Sequence, residues 1–450
     1  MFRIFCVCLA VVLCGRAVSA DEATTTKPQL LRYTAVLNQA AANGTSQPVR
    51  DFEIRCLVSP QPTGFPTILY LMEQPSDEQP WYELFGRVEF DAEGLASPAL
   101  PQQRHLHEGH SSWIGLRFGV YPGFAKLLPG AEWTEGTQMY RLLGEKSVNS
   151  QLCWQLEING PQGRRTTLSI QKSNGSIQAA DHRYFVGMGE RFDLNLKLEE
   201  ISLAEPSTLA AWSTATAPML TLKHELRIEL SEGIADLTPP QLDVATQSLK
   251  AIDTAADGTP FAALAGVIRR EVTSGMQRDE AVADLAKRFV GRPAPPILVI
   301  PLDGGQPISM SKPDQVTILH FWEYQEKPLA EPYGQVGYLD FLAQKRKGQV
   351  QVFGVISDKR LQDPGTAPSA LRSARKLREF MNIGYPLVRE TEGALAAFGD
   401  PRKLGVELPL WVVLGSDGTI LHYRVGYYPV DSNRGLEELD GVIEKALQAK

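Results

Sequence analysis

Val316-Thr317-Ile318-Leu319-His320-Phe321-Trp322-Glu323-Tyr324-Gln325-Glu326-Lys327-Pro328-Leu329 is an apolar run that turns abruptly polar. Residues 316–321 read as a strand. A short continuous apolar stretch, β-branched and aromatic, suits a strand covered on both faces. A helix to about Lys347 follows it. The alternation then continues with a strand at 350–356, a helix at 369–381 and a closing helix at 437–448. Residues 410–414 and 419–425 form a hairpin about Asp417-Gly418, a strong turn signal. This order gives an α/β layer fold over 291–450, with helices on both faces of a mixed sheet.

Further motifs lie along the same segment in a fixed order. Gly291-Arg292-Pro293-Ala294-Pro295-Pro296 opens it, Phe321-Trp322 ends its first long strand, Leu408-Pro409-Leu410-Trp411 leads into the hairpin, and Gly426 follows the hairpin. On these residues 291–450 resembles the TlpA/ResA-like thioredoxin family. The lead-in matches the family's G-x-x-A-P-x, and Leu408-Pro409 stands where the family places its cis-proline. The resemblance implies a thioredoxin-like fold and thiol–disulfide exchange through F-W-x-x-W-C-x-P-C. Here Glu326 stands at the nucleophilic cysteine's place and Leu329 at the resolving cysteine's, while Pro328 is kept. Dithiol exchange needs one thiolate to attack and a second thiol to resolve the mixed disulfide. No cysteine follows Cys153, so no shifted register restores the pair, and a peroxiredoxin reading fails for the same reason. Two roles fit Glu326. It is an acid at a helix start, favoured by the helix dipole, or a polar contact in a peptide cleft formed with Trp322, Pro328, Leu408 and Pro409. Catalysis by Glu326 would need a partner, and the neighbouring sequence offers Glu323, Lys327 and Glu331.

The N-terminus has the layout of a secretory signal over residues 1–20. Arg3 precedes an apolar run at 4–13, and Val18-Ser19-Ala20 offers small residues before Asp21. That run is too short to span a bilayer, which takes about 20 apolar residues. Bulky Leu13 before Cys14 speaks against a lipoprotein. The expectation is an exported protein, periplasmic or extracellular, soluble after cleavage. A net charge of −7 argues against nucleic-acid binding, which needs clustered Lys and Arg.

Residues 21–204 read as an antiparallel β domain, a half-barrel or a sandwich. Tyr82, Leu84, Val88 and Phe90 alternate with polar residues, as do Leu152, Trp154, Leu156 and Ile158, and Phe192, Leu194, Leu196 and Leu198. Leu226, Ile228 and Leu230 read as a strand that could close this domain. Residues 205–290 read as a mostly helical connector, with helical spacing at 242–255, 261–272 and 279–290. The overall class is α+β. If the signal is removed, Cys56 and Cys153 are the cysteines that remain. An exported chain could bridge them, although their strand patterns put the thiols on opposite faces. His105, His107 and His110, with Glu108, form a loop set able to hold zinc or copper. Otherwise no cofactor is expected, and no Ser-His-Asp order, Walker loop or G-x-G-x-x-G stands out.

Two classes of function follow. The favoured one is a binding or scaffold protein for an exported protein or peptide partner, with room for an apolar ligand in the β domain. The other is an enzyme, either a thiol–disulfide oxidoreductase or antioxidant-type protein by descent or one with a hydrolytic or metal site in the β domain; a metal- or lipid-binding β domain is the remaining alternative.

Overall fold

The structure, a computed structural model, describes residues 27–41, 45–61, 65–73, 79–90, 96–97, 100–107, 110–124, 127–186, 189–227, 237–310, 313–323, 335–390, 393–431 and 433–448. The proposed signal segment and the loop carrying Glu326, Pro328 and Leu329 lie outside these residues. The chain divides into two compact units. One takes in residues up to 77, 83–103 and 114–210; the other takes in 78–82, 104–113 and 211–450.

The first unit is built on one antiparallel sheet. Its strands are β1 (Gln29–Ala40), β2 (Ser46–Ser59), β3 (Thr67–Glu73), β4 (Phe85–Phe90) and β5 (Ala96–Ser97). The sequence then passes through a separate pair, β6 (Gln102–His107) and β7 (His110–Gly115), which belongs mostly to the second unit, and the first unit's sheet resumes with β8 (Glu132–Glu135), β9 (Gln138–Val148), β10 (Gln151–Asn159), β11 (Arg165–Gln171), β12 (Ile177–Val186) and β13 (Glu190–Leu203). The order β5-β4-β3-β2-β1-β13-β12-β11-β10-β9-β8 is two meanders joined where β1 meets β13. It forms a half-barrel, not a sandwich. Alternation sends Tyr33, Ile54, Leu156, Leu168 and Leu194 into one core. The sheet's own chain helps fill that core through Leu116, Phe118, Val120 and Leu127. Tyr33 Oη accepts from Gly119 N at 3.0 Å and donates to Ile177 O at 2.9 Å, tying the filling segment to the sheet.

Three expectations need correction here. Tyr82 lies in a 3-10 turn (Trp81–Glu83) and Leu84 lies between that turn and β4, so the alternation begins only at Phe85. Leu226 ends a helix, α1 (Pro206–Leu226), and does not begin a strand; Ile228 and Leu230 lie outside the described residues. Cys56 and Cys153 are both free and buried, with no bridge between them. Cys56 belongs to the core, whereas the core-facing neighbours of Cys153 on β10 are Trp154, Leu156 and Ile158. The two strands are separated by β1, β13, β12 and β11.

In the second unit, α2 (Pro239–Ala256) packs against α3 (Ala262–Phe289). α3 merges the two helical stretches expected at 261–272 and 279–290. Gly275 allows the contact, since a Cβ there would stand 2.7 Å from Leu242 Cδ2. The rest is β14 (Leu298–Pro301), β15 (Ile308–Ser309), β16 (Thr317–Trp322), α4 (Val336–Lys345), β17 (Gln351–Ile356), α5 (Ala367–Met381), β18 (Leu387–Glu390), α6 (Ala394–Ala397), β19 (Leu410–Leu414), β20 (Ile420–Val425) and α7 (Glu437–Gln448). The sheet order is β15-β14-β18-β17-β16-β19-β20, parallel between β16, β17 and β18 and antiparallel elsewhere. Every residue of β16 is buried. Ile318 and Trp322 face a core with Val336, Leu339 and Ile443, while Leu319 and Phe321 face one with Phe398 and Val412. The end of α3 joins the second core, with Phe289 stacked 5.4 Å from Tyr423.

Candidate functional site at the strand ends of the second unit

β16 and β17 end side by side, since Trp322 pairs with Ile356. On the other flank Phe321 pairs with Leu410. Continuing that register places Trp322 beside Pro409 and Glu323 beside Leu408. The carboxyl ends of parallel strands are where α/β sheets present ligand-binding groups.

The candidate residues take different parts here. Trp322 is fully buried, and Leu408 and Pro409 are buried as well. Gly354 on β17 makes room for the indole, because a Cβ there would stand 3.2 Å from Trp322 Nε1. Trp322 therefore packs the floor and presents no face to solvent. The Leu408–Pro409 peptide bond is cis. Pro409 O accepts from Gly426 N at 2.8 Å, while the Leu408 backbone has no hydrogen-bond partner among the described residues. Pro328, Glu326 and Leu329 fall outside those residues.

A charged network absent from the expectations above lies at the same end. Asp400 caps a 3-10 turn (Pro401–Leu404), and Arg402 lies inside it. Arg402 Nε donates to Asp400 Oδ1 at 2.9 Å and Nη2 to Oδ2 at 3.0 Å. Its Nη1 donates to Ser357 O at 2.8 Å and Glu323 Oε2 at 3.3 Å. Asp358 is held in the same way by Arg360, whose Nη2 donates to Oδ2 at 2.7 Å. Glu390 Oε2 accepts from Leu395 N at 2.8 Å. The repeated Asp-x-Arg pattern, Asp358-Lys359-Arg360 and Asp400-Pro401-Arg402, was the readable signal. In each, the aspartate accepts the arginine's backbone N–H and folds its side chain back.

Burial pushes the carboxyls of Glu323 and Glu390 above the usual range, against the pull of Arg402. Burial opposes ionisation of Asp400 too, but its hydrogen bonds to Arg402 hold it below the usual range. The signs fix a pH dependence. A carboxyl whose folded value is raised favours folding while protonated, and that stability is lost as pH rises through the folded value. Glu390→Gln keeps an acceptor for Leu395 N and cannot ionise. Wild-type stability is expected to fall relative to Glu390→Gln as pH climbs past the ordinary glutamate value of about 4.3. Urea unfolding of both proteins from pH 4 to pH 8 checks this; parallel curves would contradict it.

In the histidine set, the rings of His105 and His107 stack 6.2 Å apart, whereas the His110 side chain and Glu108 lie outside the described residues. Among the described residues no three or more His, Cys, Asp or Glu side chains are placed to hold a metal ion. No helix among them is long and apolar enough to cross a membrane.

No family model matches the chain, and no curated protein does. Solved structures do. A secreted Mycobacterium tuberculosis disulfide oxidoreductase homologous to E. coli DsbE is similar at 16% identity, over 33% of this chain and 94% of that one, with a TM-score of 0.24. StoA from Bacillus subtilis is similar at 18%, over 33% and 98%, with 0.25. A thioredoxin-family thiol:disulfide interchange protein from Chlorobium tepidum is similar at 18%, over 35% and 97%, with 0.26.

Proposed function

We propose that the second unit is a thioredoxin-type scaffold that binds an extended polypeptide at Leu408–Pro409 and carries out no thiol–disulfide exchange. The observation behind this reading is a backbone one. Leu408 lies two residues before β19, on the chain that leads into the strand paired with β16, with its N–H and C=O unpaired among the described residues. An extended segment can take up such groups by strand addition. The chain has no cysteine after Cys153, so a dithiol at this place is chemically absent. The network around Arg402 then serves as a rigid support beneath the binding strand. The signal-like N-terminus makes the partner an exported protein or peptide.

Two measurements test the reading. Dithiothreitol-driven insulin reduction should not exceed buffer, and turnover above buffer would overturn the claim of no exchange. A photo-crosslinker at exposed Glu407 should capture a partner peptide. Capture should survive Glu326→Ala and be lost in Leu408→Pro, which removes one backbone donor; equal capture by both variants would overturn the site.

A further inference from the structure

The first unit holds an opening inside its own sheet. β12 pairs with β13 only from Ala179, opposite Lys197, onward. β13 itself runs on to Leu203, held on its other side by β1, where Gln29 pairs with Leu203 and Leu31 with Ile201. The cause is the β11–β12 turn. Its residues leave the sheet and bond to the filling segment instead: Tyr121 N donates to Gly175 O at 2.9 Å and Ile177 N to Gly119 O at 2.9 Å. From Leu198 to Leu203, β13 thus shows an edge with no strand beside it among the described residues.

A groove of about 500 Å³ runs along this edge. Its other wall is a string of amides. Gln178 Nε2 donates to Gln171 Oε1 at 2.9 Å, and Gln171 Nε2 donates to Gln151 Oε1 at 3.1 Å. From the β9–β10 turn, Asn149 Nδ2 donates to Leu198 O at 3.1 Å, so a side-chain amide already fills the first rung of the missing ladder. At the far end Gln29 Oε1 is shut off from solvent and has no donor.

We infer that this groove binds an extended, uncharged polypeptide segment as an added strand on Leu198–Leu203. A polypeptide supplies backbone donors and acceptors at the repeat of a strand edge. The charges along the groove are already matched: Lys197 pairs with Glu199 at 3.2 Å and Arg32 with Glu200 at 3.4 Å. A charged ligand would find no spare counter-charge. Ile201 and Leu203, 42% and 57% exposed, alternate along the edge and offer apolar contacts to such a segment. A second copy of the chain fits worse, because edge-to-edge pairing of two such strands brings Glu199 and Glu200 of both copies together. The site stands without the reading of the second unit.

The test uses the full chain and a fluorescent acetyl-Thr-Val-Thr-Val-Thr-Val-Thr-amide. Binding should saturate and should slow hydrogen exchange at 198–203 at least tenfold. N-methylating alternate residues in one frame removes the N–H groups facing β13 and should weaken binding about tenfold, while the other frame binds as before. Gln171→Ala should weaken binding with the fold intact by circular dichroism. Equal binding of both N-methyl frames, or no saturable binding, would overturn the site. So would protection confined to 406–410, protection that appears with protein concentration alone, or protection by maltohexaose instead of the peptide.

Discussion

Replacing Arg402 by methionine is expected to destabilise the second unit by about 3–5 kcal/mol, the usual cost of breaking a buried ion pair from one side. Arg402, Glu323 and Asp400 side chains are only 12%, 19% and 14% exposed, so solvent screens them little. The guanidinium engages two carboxylates and the Ser357 carbonyl at once. Without it Asp400 keeps its charge in a half-buried place, and Ser357 O loses its donor. A shift of about 2–4 °C per kcal/mol in a unit of this size puts the fall in melting temperature near roughly 10 °C. Arg402→Lys should recover little, because an ammonium cannot hold Asp400 through two parallel hydrogen bonds. Adding Glu323→Gln and Asp400→Asn to Arg402→Met should restore much of the loss, since no uncompensated charge is then buried. Calorimetry of the three variants beside wild type decides. If Arg402→Met melts with wild type, the network contributes no stability, and its place at the strand ends must be explained by a ligand.

What the sequence made legible was regular structure with a strong period. The continuous apolar run of β16 is buried throughout. The Asp417-Gly418 hairpin and the closing helix α7 lie where their signals stand. Short elements escaped notice, because β14, β15 and β18 have four residues or fewer, too few for a period to show. α1 was hidden by its composition: an Ala/Thr/Ser-rich start and Pro218 inside it weaken any helical signal, while the run from Leu226 to Leu230 alternates like a strand. The two stretches expected at 261–272 and 279–290 are one helix, in which Gly275, between them, is the contact point with Leu242. The site was half visible. Trp322 and Pro409 could be placed by motif, but the partners Glu323 and Arg402 lie 79 positions apart, and only the strand register brings them together.

The second large effect concerns Trp411. Trp411→Ala is expected to cost about 3–5 kcal/mol, the range for deleting a buried aromatic side chain. Its indole is fully buried, stacks 4.0 Å from His320 and meets Tyr428 edge-on at 5.2 Å. Its Nε1 also donates to Gly426 O at 3.0 Å, and Gly426 N in turn donates to Pro409 O at 2.8 Å. Tyr428, two residues on, is fixed from both sides by Gln335, which accepts from its N–H at 2.9 Å and donates to its carbonyl at 2.8 Å. Trp411 thus joins the core to the segment that positions Pro409. Trp411→Phe separates the two roles. It keeps most of the apolar contact but leaves Gly426 O without its donor, a loss of about 1–3 kcal/mol. In that variant the Gly426 amide should exchange faster and capture at Glu407 should weaken while the unit stays folded. If Trp411→Phe loses stability but keeps slow exchange at Gly426 and full capture, the indole N–H does not govern the Pro409 loop, and the binding strand is held by β16 and β20 alone.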